Sequence, residues 1–447
     1  MIDNGFQERL DRILEKRFSR ESIIVDVIRA KYEKAGVRVS ERQLGRIANL
    51  VTKSFDDGAT SFSFEFDEKA IRRLNPSLPA DFECDVKVTS KDFDAYLKKI
   101  ERGVSKTVPK VVSESARILY KYVLKQRGAR NAETLEIRTG FERRLQRFWK
   151  VPVERLDIFI DLNSQIGAEI NSLDRPLAAK ESDLVFEVIT RLHAKACRVA
   201  SEVMALIRSG YADGAMARWR TIHEASVVAN FINENGKDVA NRYLLHQHVD
   251  NLKAAKRYNE FQKRLGVKRI PLRTLKRMQI HVDRLVAKFG KEFGNEYGWA
   301  AVALKNPKPR FSSIEDATRL EHWRPYYKMA SHNVHAGSRG LFFQLGLYDE
   351  SPILLAGPSN SGFTDPAQNT ALSLLQITSI LLTRKPTIDM LAWASTLQML
   401  AVDVANAFWA KQQVLDVRQR KIQENQLRLN KKKAQSSKIR KKEKSRK

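Results

Sequence analysis

The sequence predicts a mostly α-helical protein, a multi-helix bundle with a small N-terminal module in which two short segments carry the pattern of a β-hairpin. Three observations lead to this fold class. Only 13 prolines and 20 glycines occur in 447 residues, and residues of high helix propensity are abundant. Apolar residues recur at intervals of three and four over long segments. No period of about twenty to fifty residues repeats, which excludes a solenoid.

The N-terminal module is expected to span residues 1–110. Ser40 and Gln43 have the spacing of a capping box, with Ser40 as the N-cap of a helix. Residues 61–66 read Ser-Phe-Ser-Phe-Glu-Phe, and this alternation is typical of a strand. Residues 85–89 carry a second short strand pattern that could pair with the first. The module is therefore expected to be mostly helical with one β-hairpin.

The bundle core is expected at residues 111–350. The segment 183–208 has apolar residues three or four apart along its whole length, which predicts an amphipathic helix. The helix after it is expected to stop at Gly236, where an Asn-Gly pair favours a C-terminus. A helix at 113–126 is predicted as a separate element before a main body that starts near Phe141. Further helices are predicted at 239–265, at 271–289 and from Pro325 onward.

The segment after the core, residues 351–410, is expected to form a helical hairpin that packs on the core. Its second helix, Met390–Ala410, is apolar and about as long as a membrane span. Four polar residues interrupt it at depths where a bilayer would penalise them, namely Ser395, Gln398, Asp403 and Asn406. We therefore expect a core helix and no membrane partner.

The charge of the chain points to a polyanionic partner. The net charge is +28, and the tail at 411–447 holds fifteen Lys or Arg against three acidic residues, a net +12. We expect the tail, helical or disordered, to associate with RNA or DNA. An acidic protein or an anionic membrane surface is the second choice of polyanion, and the alternative to any such partner is a solvated, disordered tail that only aids solubility. The candidate nucleic-acid-binding residues are Arg418, Arg420, Lys431, Lys432, Lys433, Arg440, Lys441 and Lys442.

Two pairs of polar residues on otherwise apolar helices predict a polar centre. Arg220 and Glu224 are four apart, and so are Ser331 and His335, so each pair should share a helical face. Such a centre is either a structural network with satisfied hydrogen bonds or a functional site. If it is a site, the candidate catalytic residues are His335, His332, Arg220, Glu224, Ser331 and Tyr327.

Other readings of the same residues are weaker. His332 and His335 could ligate a metal together with Glu224, but no spacing in the sequence specifies a third ligand beside the two histidines. Ser331 could be activated by His335, but no Gly-rich elbow accompanies it. His223 lies about 60° from the Arg220 and Glu224 stripe and is expected to be a packed or half-exposed histidine, not a ligand. We expect no metal and no cofactor.

The cysteine content and the first residues of the chain bear on its compartment. Cys84 and Cys197 are the only cysteines, and their distance in sequence supports neither a disulfide framework nor a cysteine-ligated zinc. The first residues do not have the pattern of a signal peptide. The sequence therefore predicts a cytoplasmic protein, for which a homo-oligomer is one option.

Four motifs resemble a known bacterial family. They are Gly-Tyr-Ala-Asp-Gly-Ala-Met-Ala-Arg-Trp-Arg-Thr-Ile-His-Glu at 210–224, Arg-Tyr at 242–243, Tyr-Gly-Trp-Ala at 297–300, and Tyr327-x-x-x-Ser331-x-x-Val-His335-Ala-Gly. In this order they are similar to a family catalogued only as a domain of unknown function. The resemblance covers roughly residues 141–350 and implies an all-helical cytoplasmic protein with no established activity.

A more distant likeness is to the HEPN superfamily of helical bundles. Many of its members are metal-independent ribonucleases in toxin and anti-phage systems, with an Arg a few residues before a His. In that chemistry the His is the general acid–base and the Arg stabilises charge on phosphate. Here Arg324 stands too far before His332, and pairs such as Arg242 and His248 are expected by chance in so Arg-rich a chain.

Two functional hypotheses result. The first is a nucleic-acid-associated effector, a HEPN-like ribonuclease in its catalytic form, with His335 or His332 as acid–base and Arg220 as charge stabiliser. The second is a non-enzymatic adaptor that binds nucleic acid or a protein through its tail, with a purely structural polar centre. Fold analogy alone does not decide between them.

Overall fold

The computed structural model of the protein describes residues 11–12, 15, 19–56, 68–79, 82, 88–347 and 354–444. Within them it has twelve α-helices, three short 3-10 helices and no strand, so the mostly α-helical prediction is confirmed. Residues 61–66 and 85–87 of the β-hairpin pattern lie outside the described residues. The chain divides into two compact units, 1–132 and 133–447.

The N-terminal unit contains three short helices with a common core. They are α1 (Arg20–Lys34), α2 (Glu41–Asp56) and α3 (Glu68–Leu74). Their core is made by apolar residues such as Ile28, Leu44 and Val51. The predicted capping box of α2 is confirmed. The Gln43 N–H donates to Ser40 Oγ at 3.3 Å, and the Ser40 N–H donates to Gln43 Oε1 at 3.2 Å.

The fourth helix, α4, is much longer than the sequence predicts. It runs without a break over Ser90–Glu181, so the prediction of a separate helix at 113–126 ahead of the body was wrong. Between residues 126 and 141, the only breakers are Gly128 and Gly140, and an isolated glycine costs a helix about 1 kcal/mol without ending it. The boundary predicted near residue 110 lies inside α4, and the two compact units divide at residues 132–133.

The C-terminal unit is organised around two adjacent helices, α5 (Leu184–Arg208) and α6 (Ala212–Leu265). The first confirms the predicted amphipathic helix. In α6, Trp219, Ile222 and Phe231 are all buried, because neighbouring helices cover it on several sides. Gly236 has φ 77° and ψ −160° and interrupts α6 where the sequence predicts a stop. The following helices are α7 (Leu272–Phe289), α8 (Phe311–Ala317), α9 (Arg324–Val334), α10 (Ser338–Phe342), α11 (Thr364–Arg384) and α12 (Ile388–Lys444).

Helix α12 lies on the surface of the unit. Leu397, Ala401, Val404 and Phe408 bury one face in the core, and the opposite face is exposed. The predicted core helix is therefore corrected to a half-buried one. The stretch Ile388–Asn425 is long and apolar enough to cross a membrane, and 17% of its most apolar window is buried in the protein. Length and composition alone are weak evidence for a span.

A polar centre between α6 and α9

Four of the candidate residues form one hydrogen-bonded network. Arg220 on α6 donates from Nε to Glu224 Oε1 at 3.1 Å and from Nη1 to Ser331 Oγ at 3.2 Å. The Tyr327 hydroxyl on α9 donates to Glu224 Oε1 at 2.6 Å, and the Ser331 hydroxyl donates to the Tyr327 carbonyl at 2.8 Å. The structure thus joins the Arg220–Glu224 pair to Tyr327 and Ser331 across two helices.

The ring of Tyr327 also packs against Arg220 and Phe311. The Arg220 guanidinium lies 4.4 Å from the centroid of the tyrosine ring, and the Phe311 ring on α8 stacks with it at 5.0 Å. A cation over an aromatic face is attracted by the ring electrons. The network is therefore held by packing as well as by hydrogen bonds.

Electrostatics keep the phenol of Tyr327 neutral. Burial, and then the hydrogen bond to the Glu224 carboxylate, raise the pKa of Tyr327 above its usual range, so the hydroxyl remains a donor. Burial and the charge of Glu224 also raise the pKa of Tyr297, the first residue of the Tyr-Gly-Trp-Ala motif. The side chains of Arg220 and Glu224 are 24% and 38% exposed, so solvent reaches one side of the network.

A second polar pair lies deeper and was missed by sequence reasoning. His223 Nε2 is 3.0 Å from Glu315 Oε1, and both side chains are almost fully buried. The other Glu315 oxygen accepts from Arg324 Nε at 2.8 Å. His223 Nδ1 has no partner among the described residues. The signal for this pair was present, because a histidine on a helix that is apolar all round needs a hydrogen-bond partner.

The two remaining candidate histidines do not join the network. Helix α9 ends at Val334, and His335 is exposed and extended, with φ −110° and ψ 142°. The predicted helical face shared by Ser331 and His335 is therefore wrong, although the His335 N–H still donates to the Ser331 carbonyl at 3.0 Å. Gly337, close downstream, is a typical stop signal. His332 is half-buried in the last turn of α9.

The described residues contain no group of three His, Cys, Asp or Glu side chains placed to hold a metal ion. The chemistry available at the centre is hydrogen bonding and charge. Arg220 supplies a cation, Glu224 a carboxylate and Tyr327 a neutral hydroxyl. No imidazole lies in this network to transfer a proton, and His223 is already bonded to Glu315.

The basic candidate residues lie on the last part of α12. The Arg418 guanidinium and the Lys411 ammonium lie 5.1 Å and 4.8 Å from the centroid of the Phe148 ring. Arg420 is exposed. The helix continues through Lys431, Lys432, Lys433, Arg440, Lys441 and Lys442, whose side chains lie outside the described part.

A cleft between α4 and α5 encloses a cavity of about 650 Å³. It is lined in part by Gly167, Arg175, His193 and Cys197. Burial lowers the pKa of His193 to about 4 and raises the pKa of the Cys197 thiol to about 12. His193 Nε2 lies 2.9 Å from Thr378 Oγ1. The thiol is therefore protonated at neutral pH, and this pair lacks the thiolate that a nucleophile requires.

The four motifs that resemble a known family also contact one another in pairs. The ring of Tyr243 from the second motif contacts Trp299 of the third at 5.0 Å, and the first and fourth motifs meet in the polar centre. Residues 186–351 match a family of unknown function, DUF5677. The resemblance to a domain-of-unknown-function family is thereby confirmed for less than half of the chain. The DUF5677 region contains all four motifs, while α4 and α12 lie outside it. Neither the curated proteins nor the solved structures contain a match.

Proposed function

We propose that the protein is a nucleic-acid-binding adaptor, with the basic end of α12 as its binding element and the polar centre as part of its scaffold. The observation that carries the proposal is the continuity of α12. Its first part is anchored in the core by Leu397, Val404 and Phe408, and the same helix then continues to Lys444 with a high density of positive charge.

The polar centre supports a scaffolding role because its groups satisfy one another. Arg220, Glu224, Tyr327 and Ser331 are bonded within the network. Removing one partner from such a set leaves a charge or a hydroxyl without its hydrogen bond. We therefore expect substitutions here to reduce stability while leaving nucleic-acid binding unchanged.

The expected binding mode follows from composition. Lys and Arg side chains displace counterions from phosphates, so affinity should fall steeply with salt. No aromatic residue follows Trp409, so stacking on bases cannot contribute from the tail and the binding should be indifferent to sequence.

The experiment is a C-terminal truncation whose first deleted residue is chosen from the contacts of α12. Leu415 is buried, and Gln412 donates to Ser361 Oγ at 3.1 Å, so a deletion from 411 would damage the core. Deletion of 425–447 instead removes eleven Lys or Arg and one Glu. Binding of labelled RNA and duplex DNA is measured by fluorescence anisotropy at two salt concentrations.

We expect the truncated protein to keep its melting temperature and to lose binding to both nucleic acids. Substitution of Lys431, Lys432 and Lys433 by Gln should weaken binding of both and lower the salt slope by about three. A truncated protein that binds as the full chain does would refute the proposal.

A catalytic role, as in the HEPN-like reading, is the second candidate. One observation favours it, namely the partial exposure of Arg220 and Glu224, which leaves the network accessible to a substrate. Purified protein is incubated with total RNA, with and without EDTA, beside His335→Ala and Arg220→Ala. The adaptor proposal predicts intact RNA throughout. RNA cleavage that EDTA does not stop and that both substitutions abolish would establish the catalytic role instead.

A further inference from the structure

Helix α12 exposes a long stripe of apolar side chains that a few polar residues interrupt. Six large apolar side chains on its outer face are each between 46% and 87% exposed: Ile388, Leu391, Met399, Val402, Trp409 and Val417. With Ser395, Asn406 and Gln413 they recur at intervals of three or four residues, so all nine positions lie on one side of the helix and form a seam along it. Val402 is at the middle of the seam.

Helix α4 lies beside this stripe and widens it. Arg155 Nη1 donates to Asp403 Oδ1 at 2.6 Å, so the two helices are adjacent at the centre of the seam. Val151 and Ile158, one turn either side of Arg155, are also more than half exposed. The exposed face is therefore built from two helices with an ion pair between them.

We propose that this face is the interface of a homodimer, in which a second copy of the chain packs against it in antiparallel orientation about a twofold axis near Val402. The exposed apolar area is large enough for such an interface. The eight apolar side chains alone expose on the order of 800 Å² per copy, which is what a stable protein–protein interface buries on each side. An exposed apolar surface of this size on a soluble protein generally marks an interaction site.

Polar groups within the face favour protein over lipid as the occupant. Ser395, Gln398, Asp403 and Asn406 line one groove on it, and a bilayer offers them no hydrogen-bond partners. Gln398 and Asn406 carry amides, each both donor and acceptor. A group of that kind can pair with its own copy across a twofold axis, where both partners present the same surface.

Charge determines the orientation. Each copy carries a net +12 after residue 410. In a parallel pair the two basic segments would lie side by side and repel each other. In an antiparallel pair they leave at opposite ends of a seam about 40 Å long. The antiparallel arrangement also brings Asp403 of each copy close to the axis, where Arg155 offsets its charge.

The test compares two substitutions of valine that differ only in location. Val402→Glu places a carboxylate at the centre of the proposed interface. Val302→Glu is the matched control, because Val302 is 58% exposed and Val402 is 53% exposed, and Val302 follows the 3-10 helix Gly298–Ala300, which packs on α6. Molecular mass is measured by sedimentation equilibrium in high salt without nucleic acid, so the result is independent of the proposed binding function.

We expect the unmodified protein and Val302→Glu to be dimers, and Val402→Glu to dissociate at least about a hundredfold more readily, because the substitution enters the interface twice. Circular dichroism should show the same helix content in all three. An unmodified protein that is monomeric at every concentration, or a Val402→Glu variant that dimerises as tightly as the control, overturns the proposal. A monomer that binds neutral lipid vesicles would assign the face to a membrane instead.

Orientation is tested by oxidative cross-linking in a Cys84→Ser background, where Cys197 is buried. Val402→Cys should form a disulfide-linked dimer, since a disulfide needs the two Cα atoms within about 7 Å. Ile388→Cys should not, because the two copies of residue 388 lie about 40 Å apart in the antiparallel pair. A cross-link at 388 would show that the pair is parallel.

Discussion

Substitution of Tyr327 by phenylalanine tests whether the polar centre stabilises the fold. The change removes the hydroxyl that donates to Glu224 at 2.6 Å and keeps the ring that contacts Arg220 and Phe311. A hydrogen bond to a charged group contributes about 1.5–3 kcal/mol. Because solvent reaches Glu224, we expect a loss near the lower limit, about 1.5 kcal/mol, or a fall of a few degrees in melting temperature.

The assay is equilibrium unfolding in urea, read by circular dichroism and compared between variants. Tyr326→Phe is the matched control, since Tyr326 is also half-buried and its hydroxyl makes no hydrogen bond to the described residues, and it should change stability by less than about 0.5 kcal/mol. A cycle with Glu224→Gln should show a coupling of about 1 kcal/mol between positions 224 and 327. Equal effects of the two tyrosine substitutions, or no coupling, would refute the structural role of the network.

Three further outcomes are expected. Gly167→Ala should lower stability by about 1–3 kcal/mol, because the added Cβ would lie 2.2 Å from the His193 ring. Gly140→Ala in the same helix is the control: its Cβ would meet only a flexible arginine at 3.4 Å, so the variant should gain up to about 1 kcal/mol. Urea unfolding of both variants measures the difference. The pKa of His193 is lowered to about 4, so between pH 6.5 and pH 4 the unfolded chain binds a proton more readily than the folded one. The free energy of unfolding should therefore decline as pH falls from about 6.5, by roughly 3 kcal/mol at pH 4. Urea titrations at several pH values measure the decline, and His193→Gln should flatten it. Ser40→Ala should cost the N-terminal unit about 1 kcal/mol by removing the helix cap, which hydrogen exchange of the amides in α2 would show as faster exchange.

Much of the fold could be predicted because it rests on local pattern. The helix α5 follows from apolar spacing, the start of α2 from Ser40 and Gln43, and the interruption of α6 from Gly236. The unbroken α4 could not be predicted in this way. Gly128 and Gly140 lie between the predicted helix at 113–126 and the predicted start of the body, but whether a glycine ends a helix depends on the surrounding structure, and propensity alone is a weak guide.

The site was predictable only in part, for a similar reason. The spacing of Arg220 and Glu224 predicts their contact within one helix. The pairing of His223 with Glu315 joins residues 92 positions apart, and no periodicity encodes a contact between two helices. The prediction that His335 shares a helical face with Ser331 was wrong because α9 ends one residue before His335. Helix ends are the least certain feature of a sequence-based assignment.

The interruption at Gly236 also bears on how the chain tolerates changes in length. Within a continuous helix, one inserted residue rotates everything beyond it by about 100° relative to what precedes it. Gly236, at φ 77°, breaks that angular relation, and no heavy atom beyond the adjoining backbone lies within 4 Å of the position its Cβ would occupy. An insertion beside Gly236 can therefore be absorbed by the irregular backbone, whereas the same insertion between Arg220 and Glu224 would turn the two side chains to different faces. Residue 236 is thus the place in α6 where a tag or a spectroscopic probe can be added with least disturbance to both halves of the helix.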